Sequence, residues 1–484
     1  MENAASLEHA EDSHMRIIGN RLTAGIIGVT TVIGSAFVAA TPASAGPPSD
    51  DGAAVHFTVD NAADVGDANP GDGRCEIAVD DAAKDVLGNN PAALPQVGKG
   101  KTEEALPSLY PQITPQAPAA SPGRCTLRAA VEEANANVKE HHRVTLPSRL
   151  GVYHLTEGHL GVRGHLTITR DYSAGSKRAA INAGHRSRIF GVTDGAHLHI
   201  DGLFLAQGKA PNLSGGAIYV RRATVELDRS VVVHSHANRG GAIAVDTDGR
   251  LEARSTSFES NRADLGGAIY AVGSVLLHQV SIYDNAAELG GGVYLLPQAD
   301  ESFWAEQTSV IDNTASRAGG GLYFYGEGYV GMIHATIAAN AADHGGGIYN
   351  GSENAAFLIA YSILAGNTDT ENPTAADASP DCDGEMSTDR GNLFGAIGAR
   401  CYGYDVAEDT YGTVRNPLDP SLEFVRISTD ANAQGDGGEL AYRRPAFNSP
   451  ALDMVPAGRC FSNDDMLRAG ARSGVPCDLG AIER

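Results

Sequence analysis

The sequence predicts an all-β fold, a parallel β-helix, and three observations carry that prediction. A Gly-Gly-small-apolar motif recurs as Gly215-Gly216-Ala217-Ile218-Tyr219, Gly240-Gly241-Ala242-Ile243, Gly266-Gly267-Ala268-Ile269-Tyr270, Gly290-Gly291-Gly292-Val293-Tyr294, Gly319-Gly320-Gly321-Leu322-Tyr323 and Gly345-Gly346-Gly347-Ile348-Tyr349, at spacings of 25, 26, 24, 29 and 26 residues. Five or six residues before the last four stands an asparagine (Asn261, Asn285, Asn313, Asn340), and four before each asparagine a hydroxyl residue (Ser257, Ser281, Ser309, Thr336). Glycine fills 58 of 484 positions, about 12 % against a usual ~7 %, while aromatics make up only 6 %.

A fixed period of this length marks a solenoid or an array. Between the glycines and the asparagine the chain alternates as short strands do, for example in Val275-Leu276-Leu277-His278-Gln279-Val280-Ser281-Ile282-Tyr283, and no 3.6-residue period is present, so helical repeats are excluded. A β-propeller blade needs ~40–45 residues for its four strands, more than this period supplies. Two or three short strands joined by tight corners describe one coil of a parallel β-helix, stacked on the next at ~4.8 Å. Glycine pairs suit corners that need positive φ or close backbone approach. Asparagine tolerates the left-handed conformation and can bond its copies above and below. The stretch 144–370 has room for roughly nine coils.

The elements follow in chain order. Arg16 and Arg21, the uncharged run Leu22 to Ala40 and the Ala43-Ser44-Ala45 site predict a secretory signal over 1–45; interruption of the run by Thr, Gly and Ser argues against a membrane anchor. Met15 offers an alternative start with an ordinary basic flank. Segment 46–143 is read as an N-terminal cap interrupted by a Pro/Ala/Gly-rich insertion at 80–123. Within it, Thr126 to Asn137 places Leu127, Ala130, Val131 and Ala134 on one helical stripe with Arg128, Glu132 and Glu133 opposite, which suits a helix over the open end of a solenoid. The coils occupy 144–370, and 371–484 holds further coils and loops. The net charge is −23, and −21 once two basic and four acidic residues leave with the signal. No Lys/Arg stripe is present to neutralise phosphates, which argues against nucleic acid and anionic membranes as partners. Six cysteines in an exported chain read as three disulfides.

These pieces resemble a bacterial family. Phe57-Thr58-Val59-Asp60, the loop Asp67-Ala68-Asn69-Pro70-Gly71-Asp72-Gly73-Arg74-Cys75, and Cys125-Thr126-Leu127-Arg128-Ala129-Ala130-Val131-Glu132-Glu133-Ala134-Asn135 resemble the CSLREA segment of exported β-helix proteins, with Thr126, Ala129 and Val131 in place of the commoner Ser, Glu and Ile. The Gly-Gly-Ala-Ile pieces and Phe258-Glu259-Ser260-Asn261 are similar to polymorphic outer membrane protein repeats. Asp381-Cys382, Gly391-Asn392-Leu393, Cys401, Asn416-Pro417-Leu418, Ser449-Pro450-Ala451-Leu452-Asp453 and Cys477-Asp478-Leu479-Gly480-Ala481-Ile482-Glu483 resemble the choice-of-anchor Q region. The resemblance implies a single-stranded right-handed parallel β-helix of the pectate-lyase type with a secreted or cell-surface role. It also implies the pairs Cys75 with Cys125, Cys382 with Cys401 and Cys460 with Cys477, one of fifteen possible connectivities. No terminal membrane barrel or sorting tail matches, so an anchor is not carried over.

Chemistry is sparse. Asn367-Thr368-Asp369 and Asp343-His344-Gly345 echo glycosidase motifs in the wrong order and without their partners. Aligning coils on the asparagine stacks Asp284 with Asp312 and Asp264 with Glu288, Asp343 following in the second column. Carboxylates ~4.8 Å apart repel, so they stay solvated, share a proton or hold Ca²⁺; a solvated acidic edge is the preferred reading. The loop Asp64, Asp67, Asn69, Asp72 is a weaker calcium candidate. Tyr219, Tyr270, Tyr294, Tyr323 and Tyr349 form one column that period two turns outward, either packing between coils or offering rings to sugars. His234, His278 and His334 read as scattered surface residues. The functional expectation is a non-enzymatic, adhesin-like module for an extracellular glycan or surface protein, with a polysaccharide lyase, hydrolase or epimerase as the alternative.

Overall fold

The computed structural model describes residues 55–77, 125–172, 178–352, 356–371, 373–375, 377–428, 439–457, 460 and 476–482. The expected signal (1–45) and the insertion (80–123) lie outside the described residues. The described chain is a parallel β-solenoid. Sheet 1 has eleven strands, from Val55–Thr58 to Ser387–Asp389; sheet 2 has eleven, from Val152–His154 to Thr410–Thr413; sheet 3 has ten, from Leu160–Val162 to Cys401–Tyr402. A shorter four-stranded ladder (Ala286–Leu289, Thr314–Ala318, Ala341–Ala342, Thr368–Asp369) runs beside them.

Register is kept from coil to coil, so each inward position becomes a column. In sheet 1, Val225, Leu251, Val275, Phe303, Val330 and Phe357 are successive partners, each at most 2 % exposed. At ~25 cal/mol per Å² such stacks supply the main stabilisation of the fold. Phe258 of the Phe-x-x-Asn motif sits in the equivalent core column of sheet 2, fully buried.

Three corners per coil carry a left-handed residue, and the structure corrects which one. The asparagines are not left-handed; the residue before each is, at Ser260, Asp284, Asp312 and Ala339 (φ 51–57°). Asp284 and Asp312 therefore fill a conformation that Asp tolerates better than most residues. A second column, Arg229, Ser255, Gln279, Gln307, His334 and Tyr361, turns the chain from sheet 1 to sheet 2. The third is the first glycine of each pair, such as Gly290 at φ +64°. The second glycine answers a different need: a Cβ on Gly291 would lie 2.3 Å from the Gly320 carbonyl oxygen of the next coil.

The asparagines instead form a buried amide ladder. The backbone N–H and Nδ2 of Asn261 both donate to Asn285 Oδ1 (2.9 and 3.1 Å), and the pattern repeats from Asn285 to Asn313, Asn313 to Asn340 and Asn340 to Asn367. The last rung is an acid side chain in place of an amide, since Asn367 Nδ2 donates to Asp381 Oδ1 at 2.9 Å.

Helix α1 (Leu127–Ala136) starts at Thr126, whose hydroxyl accepts from the Ala129 N–H, and buries Leu127, Ala130, Val131 and Ala134 as expected. It packs on His141–Leu146 and His165–Arg170 of sheet 1 and on Leu160–Val162 of sheet 3. Its other face is taken up by the N-terminal loop. Arg128 pairs with Asp64 at 2.7 Å, Glu133 accepts from the N–H groups of Gly71 and Gly73, and Glu132 accepts from Asp67 N–H. The loop 60–77 is thus held by the polar face of the helix, and Cys75–Cys125 ties the same two pieces. Cys382–Cys401 and Cys460–Cys477 are the other disulfides.

The chain then turns back along the outside of sheet 2. An antiparallel hairpin, Leu422–Ser428 with Glu439–Pro445, lies across the central coils, and Ala451, Val455, Cys477 and Leu479 pack on Ile363 and Leu393 farther along. The column Ser257, Ser281, Ser309 and Thr336 is buried there: Ser281 Oγ donates to the Ala441 carbonyl at 2.7 Å, and Ala481 N–H donates to Thr336 Oγ1 at 3.0 Å.

Candidate functional site

Sheet 3 turns one residue per strand outward, and the pairing sets the column as Tyr219, Ala244, Tyr270, Tyr294, Tyr323, Tyr349 and Asp383. Four of the five expected tyrosines form an unbroken stack. Ring centroids are 5.5 Å apart from Tyr270 to Tyr294, 4.9 Å from Tyr294 to Tyr323 and 4.9 Å from Tyr323 to Tyr349, with planes within 12° of parallel. Tyr219 stands apart, because Ala244 leaves a gap; its hydroxyl donates to Asp246 Oδ2 at 2.7 Å, and Arg188 lies over its ring. Arg239 lies over Tyr270, at the other side of the gap.

Parallel stacking at the inter-strand spacing covers the internal ring faces with neighbouring rings. Tyr270 is buried, and what the half-buried Tyr294, Tyr323 and Tyr349 present outward is phenol edges and hydroxyls, so the face-on sugar stacking that an isolated ring offers is not available within the ladder. Burial, and then the adjacent phenols Tyr294 and Tyr349, push Tyr323 up to about 12; burial also raises Tyr270 and Tyr294. Tyr270, Tyr294 and Tyr323 therefore remain neutral hydroxyls that both donate and accept at ordinary pH.

The column ends in an ionic cluster. Asp383, next to Tyr349, pairs with Arg400 at 2.5 Å and accepts from Ser379 Oγ at 3.2 Å. Arg400 also approaches His344 Nδ1 (3.4 Å), whose Nε2 lies 3.4 Å from Glu371. Burial raises Asp383 against the opposing pull of Arg400.

Each carboxylate of the acidic columns has its own partner. Asp264 pairs with Asn238, Asp284 accepts from Ser260 Oγ at 2.6 Å, Glu288 pairs with Arg317 at 2.8 Å, and Asp312 pairs with Arg443 of the hairpin at 2.7 Å. Asp264 and Glu288 do stack, the Glu288 N–H donating to the Asp264 carbonyl, and Asp343 accepts from Thr370 Oγ1. Of the N-terminal loop, Asp64 is taken up by Arg128 and by the N–H groups of Thr156 and Glu157, while Asp67 and Asp72 accept from the backbone two residues on. Among the described residues no group of three or more His, Cys, Asp or Glu side chains is gathered in a geometry ready for a metal ion.

Other residues singled out in the sequence have structural places. Asn367 is a rung of the amide ladder, and Asp369 accepts from Ser379 N–H at 2.9 Å. His334, expected on the surface, is 5 % exposed and stacked on Tyr361, and burial pushes it down to about 4. His278 is on the outer face of sheet 1 near Glu306. Sequence reasoning missed a further column on that sheet, His141, His165 and His197, because these coils precede the glycine motif that sets the alignment. It also missed Trp304, which overlies Gly331 beside Tyr329.

Among the described residues no helix is long and apolar enough to cross a membrane. No curated protein and no solved structure matches the chain. One stretch does match a known family: residues 255–272, which run from the corner before Thr256 through Asn261 and the Gly266-Gly267 pair to Val272, match the Chlamydia polymorphic membrane protein repeat, so the chain is a parallel β-helix bearing at least one repeat similar to those of that family.

Proposed function

We propose that this chain is an exported, surface-displayed or secreted binding module, adhesin-like and non-enzymatic, whose contact line is the tyrosine ladder of sheet 3. The observation that carries the reading is the four-ring stack from Tyr270 to Tyr349. It sets a straight row of hydroxyls at the inter-strand spacing, rigid because each ring is held by its neighbours. A row of fixed donors and acceptors suits an extended ligand rich in hydroxyls or backbone amides, a glycan chain or a peptide strand, laid along the solenoid axis. The polymorphic membrane protein-like repeat and the disulfides support an extracellular setting, as do the signal-like residues 1–45 and the resemblance to CSLREA and choice-of-anchor Q regions. Calcium has no assigned part in this reading.

The test is binding of the mature chain to arrayed neutral and acidic glycans, with Tyr323→Phe as the decisive variant. It keeps the stack and removes one hydroxyl, so binding through the edges falls about as much as in Tyr323→Ala. Equal binding by Tyr323→Phe and wild type refutes the edge reading. The cluster of Asp383, Arg400, His344 and Glu371 beside Tyr349 favours a second reading, cleavage of a bound polysaccharide at the end of the ladder. New reducing ends or unsaturated products that disappear in Asp383→Asn establish it in place of the first.

A further inference from the structure

The outer face of sheet 1 holds an array unrelated to the ladder. His141, His165 and His197 occupy one register position on three successive strands, which lie ~4.8 Å apart. The rings of His165 and His197 are 5.8 Å apart. His199, two residues along the strand from His197, lies on the same face. The polar partners are specific: His141 Nε2 is 3.0 Å from Thr167 Oγ1, His197 Nε2 is 3.1 Å from Glu226 Oε1, and His199 Nε2 is 2.9 Å from Asp228 Oδ2. The His165 side chain makes no hydrogen bond among the described residues, and both His141 and His165 are exposed.

This is the chemistry of an imidazole metal site. A carboxylate on one ring nitrogen selects the tautomer that leaves a lone pair on the other, the usual outer partner of a metal-bound histidine. Imidazoles suit Zn²⁺, Cu²⁺ and Ni²⁺ rather than the hard cations that carboxylate and carbonyl oxygens prefer.

We propose that this column binds a late divalent transition-metal ion, with His165 and His197 as the chelating pair, His141 as a third ligand and Glu226 holding His197 from behind. The backbone register already aligns the three side-chain origins. The ring nitrogens do not meet at one point as they stand, and closure requires side-chain rotation at His141 and His165, where exposure leaves room for it.

The experiment is calorimetric titration of Zn²⁺, and separately Cu²⁺, into the mature chain carrying no polyhistidine tag. One equivalent is expected, with Cu²⁺ tighter than Zn²⁺. His165→Ala and His197→Ala each weaken binding at least tenfold, the double variant abolishes it, and His278→Ala, on the same face several coils away, leaves it unchanged. Paramagnetic resonance of the Cu²⁺ form shows nitrogen ligands. No binding at millimolar metal, binding that survives in a folded His165→Ala/His197→Ala chain, or an oxygen-only spectrum overturns the proposal. Tyr323→Phe leaves metal binding intact, so failure of this site and failure of the ladder reading are separate results.

Discussion

Replacing Asn313 by alanine tests the amide ladder where its bonds can be counted. Asn313 Oδ1 accepts from the Asn285 N–H (3.0 Å) and Nδ2 (2.9 Å), and its own Nδ2 donates to the Ile282 carbonyl (2.9 Å) and Asn340 Oδ1 (3.0 Å). After truncation, Asn285 Nδ2 keeps the Phe258 and Tyr283 carbonyls, and Asn340 Oδ1 keeps the Asn313 N–H. Two buried groups lose the partner the ladder gave them, the Asn285 N–H and the Ile282 carbonyl. At about 1–3 kcal/mol for each buried group left unsatisfied, the loss is about 2–6 kcal/mol. Denaturant unfolding of wild type, Asn313→Ala, Asn285→Ala and the double variant measures it, with Asn238→Ala on the exposed edge as the control. Asn285 and Asn313 share bonds, so the double-variant cycle shows coupling of about 0.5–3 kcal/mol. A change below about 0.5 kcal/mol in Asn313→Ala, or strict additivity, refutes the claim that the asparagines act as one ladder.

Gly291→Ala brings a Cβ to 2.3 Å from the Gly320 carbonyl oxygen, a backbone clash that no rotamer relieves. The loss should exceed the ~1 kcal/mol typical of point substitutions, read by thermal unfolding. Asp381 is fully buried and raised to about 7. The native state therefore holds a proton that the unfolded chain releases near 4, and this group's contribution falls as pH rises from about 4 to 7; Asp381→Asn removes that slope, measured by denaturant midpoints across the range. His334 acts in the opposite sense: lowered to about 4, it is neutral in the fold while the unfolded chain is protonated below about 6.5, so its contribution grows as pH rises from about 4 to 6.5. His334→Asn, which keeps a residue tolerant of positive φ, abolishes that rise in the same measurement. Arg443→Ala removes the ion pair with Asp312 and should raise the rate of limited proteolysis in the hairpin while the coils stay resistant.

The solenoid was legible because its constraints repeat. Each coil needs a left-handed residue at Gly290 or its equivalents and a side-chain-free residue at Gly291 or its equivalents, so the period is written in glycine. The amide ladder was legible from Asn261 to Asn340, but the conformation was assigned one residue late. A pattern shows that a corner exists, whereas only coordinates show whether Asp284 or Asn285 turns it. The tyrosine column was found, yet not the gap at Ala244 or the parallel stacking, which depend on side-chain angles. The hairpin and the histidine column were not visible. Residues 422–445 carry no repeat to align, and His141, His165 and His197 are separated by 24 and 32 residues, an irregularity that the register of sheet 1 absorbs in its loops.

The return of the C-terminal hairpin has a consequence for how the molecule comes apart. In a plain solenoid each coil touches only the next, so unfolding can begin at an end and unzip one coil at a time. Here Ser281 meets Ala441 across 160 residues, Thr336 meets Ala481 across 145 and Asp312 meets Arg443 across 131. These contacts act as a splint fastened to several coils at once. A pull or a protease at the C-terminal end must first peel the splint from coils far from that end, so the middle of the rod is braced by its tail. The central coils also stay uncovered until Ala441 and Ala481 have been made, so covering them is a step that follows the winding of the coils themselves.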